Sequence, residues 1–305
     1  MYKINVLIVT YKQADVIGRN IESILQQKEY GLNKIVVCDD CSPDNNWEVI
    51  QSYVKKYPEY IEAYRNEPNL GIYGNSNKVM SLRGDADFYC WLEGDDALCD
   101  GFFKAAQEYV KNNHIDVTKA LGVFSGFQIT SPQGQTIIRK NDFFQHHPKV
   151  KPFRAYVHGA VSWRSGLFTK EVLNRFEPVP LDQGLGFAET RFDSQWFKNV
   201  DEVYYMPYIS STYYSGIGVS LFLTTDSSYQ KEEALVQWNY YYSIGDWNYI
   251  DRCWIRGNIY RAEYNIKPST GSLFKYIYYN LFGSIGFPFS LKAFLISIRN
   301  MVKKQ

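Results

Sequence analysis

Beyond Glu263 the chain holds no acidic residue, while six basic ones follow: Lys267, Lys275, Lys292, Arg299, Lys303 and Lys304. The net charge of +1 therefore hides a basic tail behind a body with 27 basic and 32 acidic residues. So small a total excludes a general field for nucleic acid or membrane and confines the asymmetry to the C-terminus. Long hydrophobic runs are lacking too. The longest charge-free stretch of the tail, Tyr276–Leu291, has 16 residues and includes Asn280, Gly283, Gly286 and Pro288. A spanning helix needs roughly 20 apolar residues. The stretch fits an apolar, basic segment lying at a bilayer surface, or a helix packed on the core.

Cysteine is scarce and its spacing pairs with nothing. Of the five, Cys38-x-x-Cys41 has no second pair to complete a zinc site. Cys38 also falls in an apolar run, so structural thiols in a reducing cytoplasm are expected. With a strand-like run already at Ile4, no signal peptide is expected. There is no internal repeat and no low-complexity tract. Apolar residues make up 45% of the chain, enough for the core of one large α/β domain or two moderate ones. Aromatics reach 17%, and such rings suit sugar-binding clefts as well as ordinary cores.

Apolar runs and helical spacings alternate through the first hundred residues. Ile4–Thr10, Lys34–Asp39, Ile61–Arg65 and Phe88–Leu92 read as strands. Between them, Ile17, Ile21, Ile24 and Leu25 recur at helical spacing, and the stretches Asn46–Tyr57 and Asn75–Arg83 also read as helices. This order predicts a parallel sheet with right-handed crossovers, whose ligands bind beyond the carboxyl ends of the strands. Thr10-Tyr11, Asp39-Asp40 and Glu93-Gly94-Asp95-Asp96 each stand at such an end. Further on, residues 121–130 read as strand, Phe143–Val161 as loop, Thr169–Phe176 as helix-like and Glu189–Asn199 as helix, with Val161–Phe168 between loop and helix.

Three carboxylates packed just past a buried strand repel one another. A divalent cation with oxygen ligands, sugar hydroxyls, or both would make them tolerable. Taken alone, the same tetrapeptide also fits an acidic turn before a helix over Asp100–Asn112.

With these pieces in order, the chain resembles family 2 glycosyltransferases, which are inverting, nucleotide-diphospho-sugar-dependent enzymes of the GT-A fold. The resemblance rests on Val6-Leu7-Ile8-Val9-Thr10-Tyr11, on Ile35–Asp44 with its Asp-Asp-x-Ser-x-Asp turn, on Asn69-Leu70-Gly71 with Asn75, and on Glu93-Gly94-Asp95-Asp96. It covers roughly residues 4–100 and weakens through 120–215. It implies an α/β GT-A fold with a mostly parallel central sheet flanked by helices. Residues 1–220 would be the catalytic domain (donor half 1–115, acceptor half 116–220), and 221–305 a helical, aromatic and basic extension.

By the same resemblance, Thr10, Tyr11 and Asp40 hold the base and ribose of the donor, with Asp39 sharing that task. Asn75 or Lys78 reaches the diphosphate. Asp95 and Asp96 fill the Asp-x-Asp role for Mn²⁺ or Mg²⁺, with Asp96 the direct ligand and Asp95 binding the donor ribose or a bridging water. Where relatives carry an Asp as general base, this chain has Thr190, which leaves Glu189 and, one helical turn on, Asp193. Alignment leans to Glu189. His158 and Trp163 are candidates for the acceptor pocket. Tyr213–Ser220 resembles a late loop but lacks its Arg and His. The implied activity is transfer of a sugar, from UDP by preference, to a hydroxyl of a growing or lipid-linked glycan in bacterial surface polysaccharide synthesis. The protein would work in the cytoplasm, with peripheral membrane contact through 273–304. The rival readings are a non-catalytic binding module of the same fold and a sugar nucleotidyltransferase. The latter would want a glycine-rich loop after the first strand, where this chain has Thr10-Tyr11-Lys12-Gln13-Ala14.

Overall fold

β-Branched residues stiff at χ1 fill the first strand, β1 (Ile4–Thr10), and its alternation feeds two cores at once. Ile4, Val6 and Ile8 point to one face, against Ile17, Ile21 and Ile24 of α1 (Ile17–Leu25) and Phe102 and Phe103 of α4 (Phe102–Asn112). Leu7 and Val9 point to the other, against Val79 of α3 (Gly71–Ser81) and Trp196 of α8 (Leu185–Lys198). The computed structural model describes residues 1–182, 185–216, 227–284 and 295.

Among these residues a nine-stranded sheet runs in the order β3-β2-β1-β4-β8-β6-β9-β5, with β7 on β6. Strands β2 (Leu32–Asp39) and β4 (Phe88–Glu93) flank β1 in parallel, and β3 (Ile61–Arg65) pairs in parallel with β2, with α2 (Asn46–Lys56) crossing over from β2 to β3. Beyond β4 the sheet is mixed. β8 (Gly166–Thr169) runs antiparallel to β4 and to β6 (Leu121–Thr130). β9 (Glu202–Tyr214) lies parallel to β6 and antiparallel to the two-residue β5 (Ala97–Leu98).

Several expectations need correction. α3 starts at Gly71 rather than Asn75, because Gly71 with φ 74° supplies the left-handed turn into it. Phe143–Val161 is not loop throughout: Phe143 and Phe144 anchor the short α5 (Phe143–His146), and Pro152 opens α6 (Pro152–Val157). A 3₁₀ turn at Trp163–Ser165 leads into β8 at Gly166, and the helix expected over Thr169–Phe176 is the shorter α7 (Lys170–Asn174). β7 (Thr136–Arg139) and β9 were not expected. The boundary at 220 and the residues Ile217–Ser220 of the late loop lie outside the described residues, as does 285–304 apart from Leu295.

Three further helices follow: α9 (Ser227–Ile244), α10 (Tyr249–Ile266) and α11 (Thr270–Gly283). Their aromatic core of Tyr241, Trp247, Trp254 and Tyr276 packs on Val157, Phe153 and Tyr156 of α6. A buried polar junction fixes the docking. Asp251 accepts from Arg154 Nε at 2.9 Å and lies 3.1 Å from His158 Nε2. Burial pushes Asp251 up, but the bonds from His158 and Arg154 outweigh it and hold the carboxyl below its usual range. Removing one member strands the others. Asp251→Ala should therefore cost about 3–5 kcal/mol, read as a lower midpoint in urea, with Arg261→Ala on the exposed side of the same helix near wild type.

Candidate active site

The register of the parallel strands brings three polar clusters to one level. Thr10 sits opposite Asp39 across β1 and β2, and Val9 opposite Glu93 across β1 and β4. The two aspartates after β2 have different partners. Asp39 is fully enclosed: Asn46 Nδ2 donates to it at 2.6 Å, the Ser42 amide at 3.1 Å, and Arg65 lies 3.5 Å away. It holds the turn through Cys41, whose φ of 58° is left-handed. Asp40 accepts through Oδ1 from the Leu70 amide (2.8 Å) and Asn66 Nδ2 (2.9 Å). Asn75 accepts from Asn66 at 2.9 Å and donates to the Cys38 carbonyl at 2.9 Å. Both ends of its buried amide are thus engaged, and Asn75 braces Asn66 behind Asp40. Lys78 is exposed on α3, and Tyr11 is 40% exposed at the rim.

The acidic tetrapeptide is held from three sides. Asn20, fully buried on α1, donates to the carbonyls of Glu93 (2.8 Å) and Asp96 (3.0 Å). Arg19 donates to the Asp95 carbonyl at 2.6 Å and lies 3.6 Å over the Tyr214 ring. Arg164 donates to Glu93 Oε2 at 2.7 Å and stands 3.5 Å from Asp96 Oδ2. Its guanidinium lies over the rings of Tyr213 (4.7 Å) and Trp163 (5.0 Å). Burial works against the charge on Arg164, but Glu93 and Asp96 outweigh it and hold the group firmly protonated. Burial, then Glu93, pushes Asp95 up to about 6, and the same two causes raise Asp96.

Gly94 permits this arrangement. A Cβ there would stand 2.4 Å from Gln13 Oε1 and 2.8 Å from Thr10 Cβ. Gly94→Ala should cost about 1–3 kcal/mol in overpacking and displace the carboxylates that follow, read as a lower melting temperature.

A second carboxylate group faces the first. Glu189 and Asp193 lie one turn apart on α8, whose Phe192 and Trp196 anchor it in the core. Asp193 hydrogen-bonds Trp163, and burial followed by Glu189 pushes it up from 3.8 to about 8. Glu189 is raised by burial and by Glu233 of α9, whose Oε1 is buried without a partner among the described residues. The Tyr73 phenol, raised by burial and then by Asp193 and Glu189, stays protonated beside them.

The two acceptor candidates are placed differently from expectation. Trp163 is enclosed, stacked 6.1 Å from Trp196 and bonded to Asp193, so it steadies a carboxylate. His158 is enclosed between α6 and α10, stacked 5.5 Å from Trp254 and tied to Asp251, which blocks contact with an acceptor.

Sequence reasoning missed Arg164, Arg19 and Glu233. Arg164 directly follows a residue that was singled out, but only β9, which brings Tyr213 and Tyr214 beside Asp96, makes a cage for it. Among the described residues no group of three or more His, Cys, Asp or Glu converges to hold a metal ion by itself.

The raised Asp193 gives a signed prediction. Its native value lies above that of the unfolded chain, so its contribution to stability is complete below pH 3.8 and is lost as pH rises through about 8. Asp193→Asn, which mimics the protonated form, should melt progressively higher than wild type as pH rises across that window.

Comparison with known proteins places this geometry. The model of "Glycosyl transferase family 2" matches residues 5–165. TarS of Staphylococcus aureus, a poly(ribitol-phosphate) beta-N-acetylglucosaminyltransferase, is 26% identical over 121 residues, 38% of this chain and 20% of TarS. TarP of the same species, of the same description, is 26% identical over 121 residues, 38% of this chain and 36% of TarP. The chain thus spans well under half the length of either relative. Among solved structures, S. aureus TarS 1–349 with UDP-GlcNAc matches with a TM-score of 0.63 at 15% identity, over 92% of this chain and 80% of that one. The mannosyltransferase PcManGT of Pyrobaculum calidifontis, with GDP-Man and Mn²⁺, matches at 0.54 and 13% identity, over 100% of this chain and 81% of that one. The fold is GT-A. With more than half its length matching the family model, the chain belongs to glycosyl transferase family 2.

Proposed function

We propose that the chain transfers a sugar from a nucleotide-diphospho-sugar, a UDP-sugar by preference, to a hydroxyl of a growing glycan, with inversion. Bacterial surface polysaccharide synthesis is the setting, in the cytoplasm at the inner face of the membrane. The observation that carries this reading is the convergence of Thr10, Asp40 and Asp95-Asp96 at the ends of three adjacent parallel strands. The relatives' names and the UDP-GlcNAc bound to TarS support it by analogy. Residues 1–115 would form the donor half, 116–220 the acceptor half and 221–305 an extension.

In this reading Asp40 accepts from the base and Tyr11, at the rim, stacks on it. Asp39 supports both through its turn. The donors of Arg19 and Arg164 face the diphosphate side, and the buried Arg19 Nε lacks a partner among the described residues. The neighbouring buried carboxylates of Asp95 and Asp96 offer only hard oxygen donors, which fits Mn²⁺ or Mg²⁺. Asp96 would hold the ion, assisted by Asp95; when bound, it neutralises charge on the departing diphosphate.

Attack on the anomeric carbon from the side opposite the diphosphate inverts its configuration and requires a base on the acceptor side. We assign that base to Asp193, with Glu189 its neighbour. Its hydrogen bond from Trp163 fixes its direction, and its value near 8 suits proton transfer close to neutral pH. Burial and the neighbouring Glu189 favour its protonated return form.

Turnover of UDP-sugars, followed as UDP release with a glycan acceptor, tests the assignment. Asp193→Asn should lower kcat by about 10²–10⁴-fold with little change in KM, and Glu189→Gln should lower it less. Wild-type kcat in Asp193→Asn would remove Asp193 from the mechanism. UDP-sugar binding without turnover in the wild type would make the protein a binding module.

A further inference from the structure

The last described helix carries apolar residues on the side that should be polar. α11 buries Tyr276, Asn280 and Gly283 against α10, where a Cβ on Gly283 would lie 2.5 Å from the Trp254 backbone. On the opposite side, Phe274, Ile277, Tyr278, Leu281 and Phe282 recur at i, i+3, i+4, i+7 and i+8. They are 72%, 41%, 46%, 53% and 40% exposed. A helix docked on a core presents polar residues outward, and a contiguous apolar patch of this kind marks an interaction surface. Tyr249, 73% exposed at the start of α10, lies near Tyr278 and extends the patch.

Charge narrows the choice of partner. Lys275 is the only charged residue on α11 and flanks the stripe, and Lys267 is exposed just before the helix. No acidic residue follows Glu263, and four more basic ones lie beyond residue 284. A second copy meeting this face would bring like charges together. The chain's own tail is equally basic and offers no complement. An anionic surface does. No helix among the described residues is long and apolar enough to cross a membrane, so the stripe can lie on a bilayer but not span it.

We propose that α11 lies in the plane of an anionic lipid bilayer surface. Phe274, Ile277, Tyr278, Leu281 and Phe282 enter the headgroup–acyl boundary, while Lys275 and Lys267 meet lipid phosphates. The geometry holds the enzyme at a membrane without anchoring it permanently. It rests on the proposed sugar transfer only for which side of the membrane is used, and vesicle binding is measured without donor or acceptor.

Flotation of the full chain with phosphatidylcholine vesicles, alone or doped with phosphatidylglycerol, tests this. The wild type should float with the anionic vesicles, stay behind with the neutral ones, and be partly released by salt. Phe274→Ser combined with Leu281→Ser should reduce partitioning at least about tenfold at an unchanged melting temperature. Should that variant misfold, Lys275→Glu alone should weaken anionic binding several-fold. The proposal is overturned if wild-type protein ignores both vesicle types, or if the folded variants bind like wild type. It is equally overturned if the stripe instead drives a concentration-dependent dimer that the double substitution dissolves.

Discussion

Placing three carboxylates within four residues at the end of a buried strand is the constraint around which this molecule is built. Glu93, Asp95 and Asp96 would repel one another in a poorly solvated corner, and the surrounding elements answer that repulsion. α1 contributes Asn20 and Arg19, which tie down the main chain of the turn. Arg164, caged by Trp163 and Tyr213, brings a cation against Glu93 and Asp96. Gly94 lets the turn press onto Thr10. The carboxylates also cease to be equivalent. Glu93 is committed to Arg164, while Asp95 and Asp96 retain the raised proton affinity of groups whose charge is incompletely matched. A corner with that residual demand is suited to a cationic or hydrogen-bond-donating ligand.

The second half of the molecule serves the same corner from the other side. Trp163 bonds Asp193 while its neighbour Arg164 bonds Glu93, so one 3₁₀ turn links the two carboxylate groups. The C-terminal helices are joined to this region through Asp251, Arg154 and His158, and they deliver Glu233 toward Glu189. Helices that first read as a distant appendage therefore bear on the electrostatics of the candidate base. They also present the apolar stripe of α11, which couples the site's support to the surface proposed to meet lipid.

Much of the donor half was legible because its elements follow short-range rules. β1 to β4 are apolar, β-branched or aromatic runs of strand length, and the polar residues at their ends stand out against them. The family resemblance put Asp40 ahead of Asp39 and Asp96 ahead of Asp95, but the chemistry of the residues by itself ranked neither pair. Asp39 and Asp40 are adjacent and chemically identical, and only Asn46, Ser42 and Arg65 reveal that Asp39 is consumed by the turn. Asn75 has the polarity of a ligand contact but spends it on Asn66 and Cys38. β9 escaped because Pro207 interrupts it. The structure absorbs that proline where the β6–β9 register breaks, between Tyr205 and Ile209. Losing β9 meant losing Tyr213 and Tyr214 as neighbours of Asp96, and with them the reason for Arg164. His158 looked like a loop residue available to an acceptor because its partner, Asp251, lies 93 positions away.

In the proposed function Asp40 and Asp96, at the ends of different strands, belong to one nucleotide-diphosphate site. Calorimetric titration of UDP, with Mn²⁺ present, into wild type, Asp40→Asn and Asp96→Asn tests it most directly. Each substitution should weaken binding at least about tenfold, or 1.4 kcal/mol, while the melting temperature of the unliganded protein holds. UDP binding to both folded variants with wild-type affinity would contradict it.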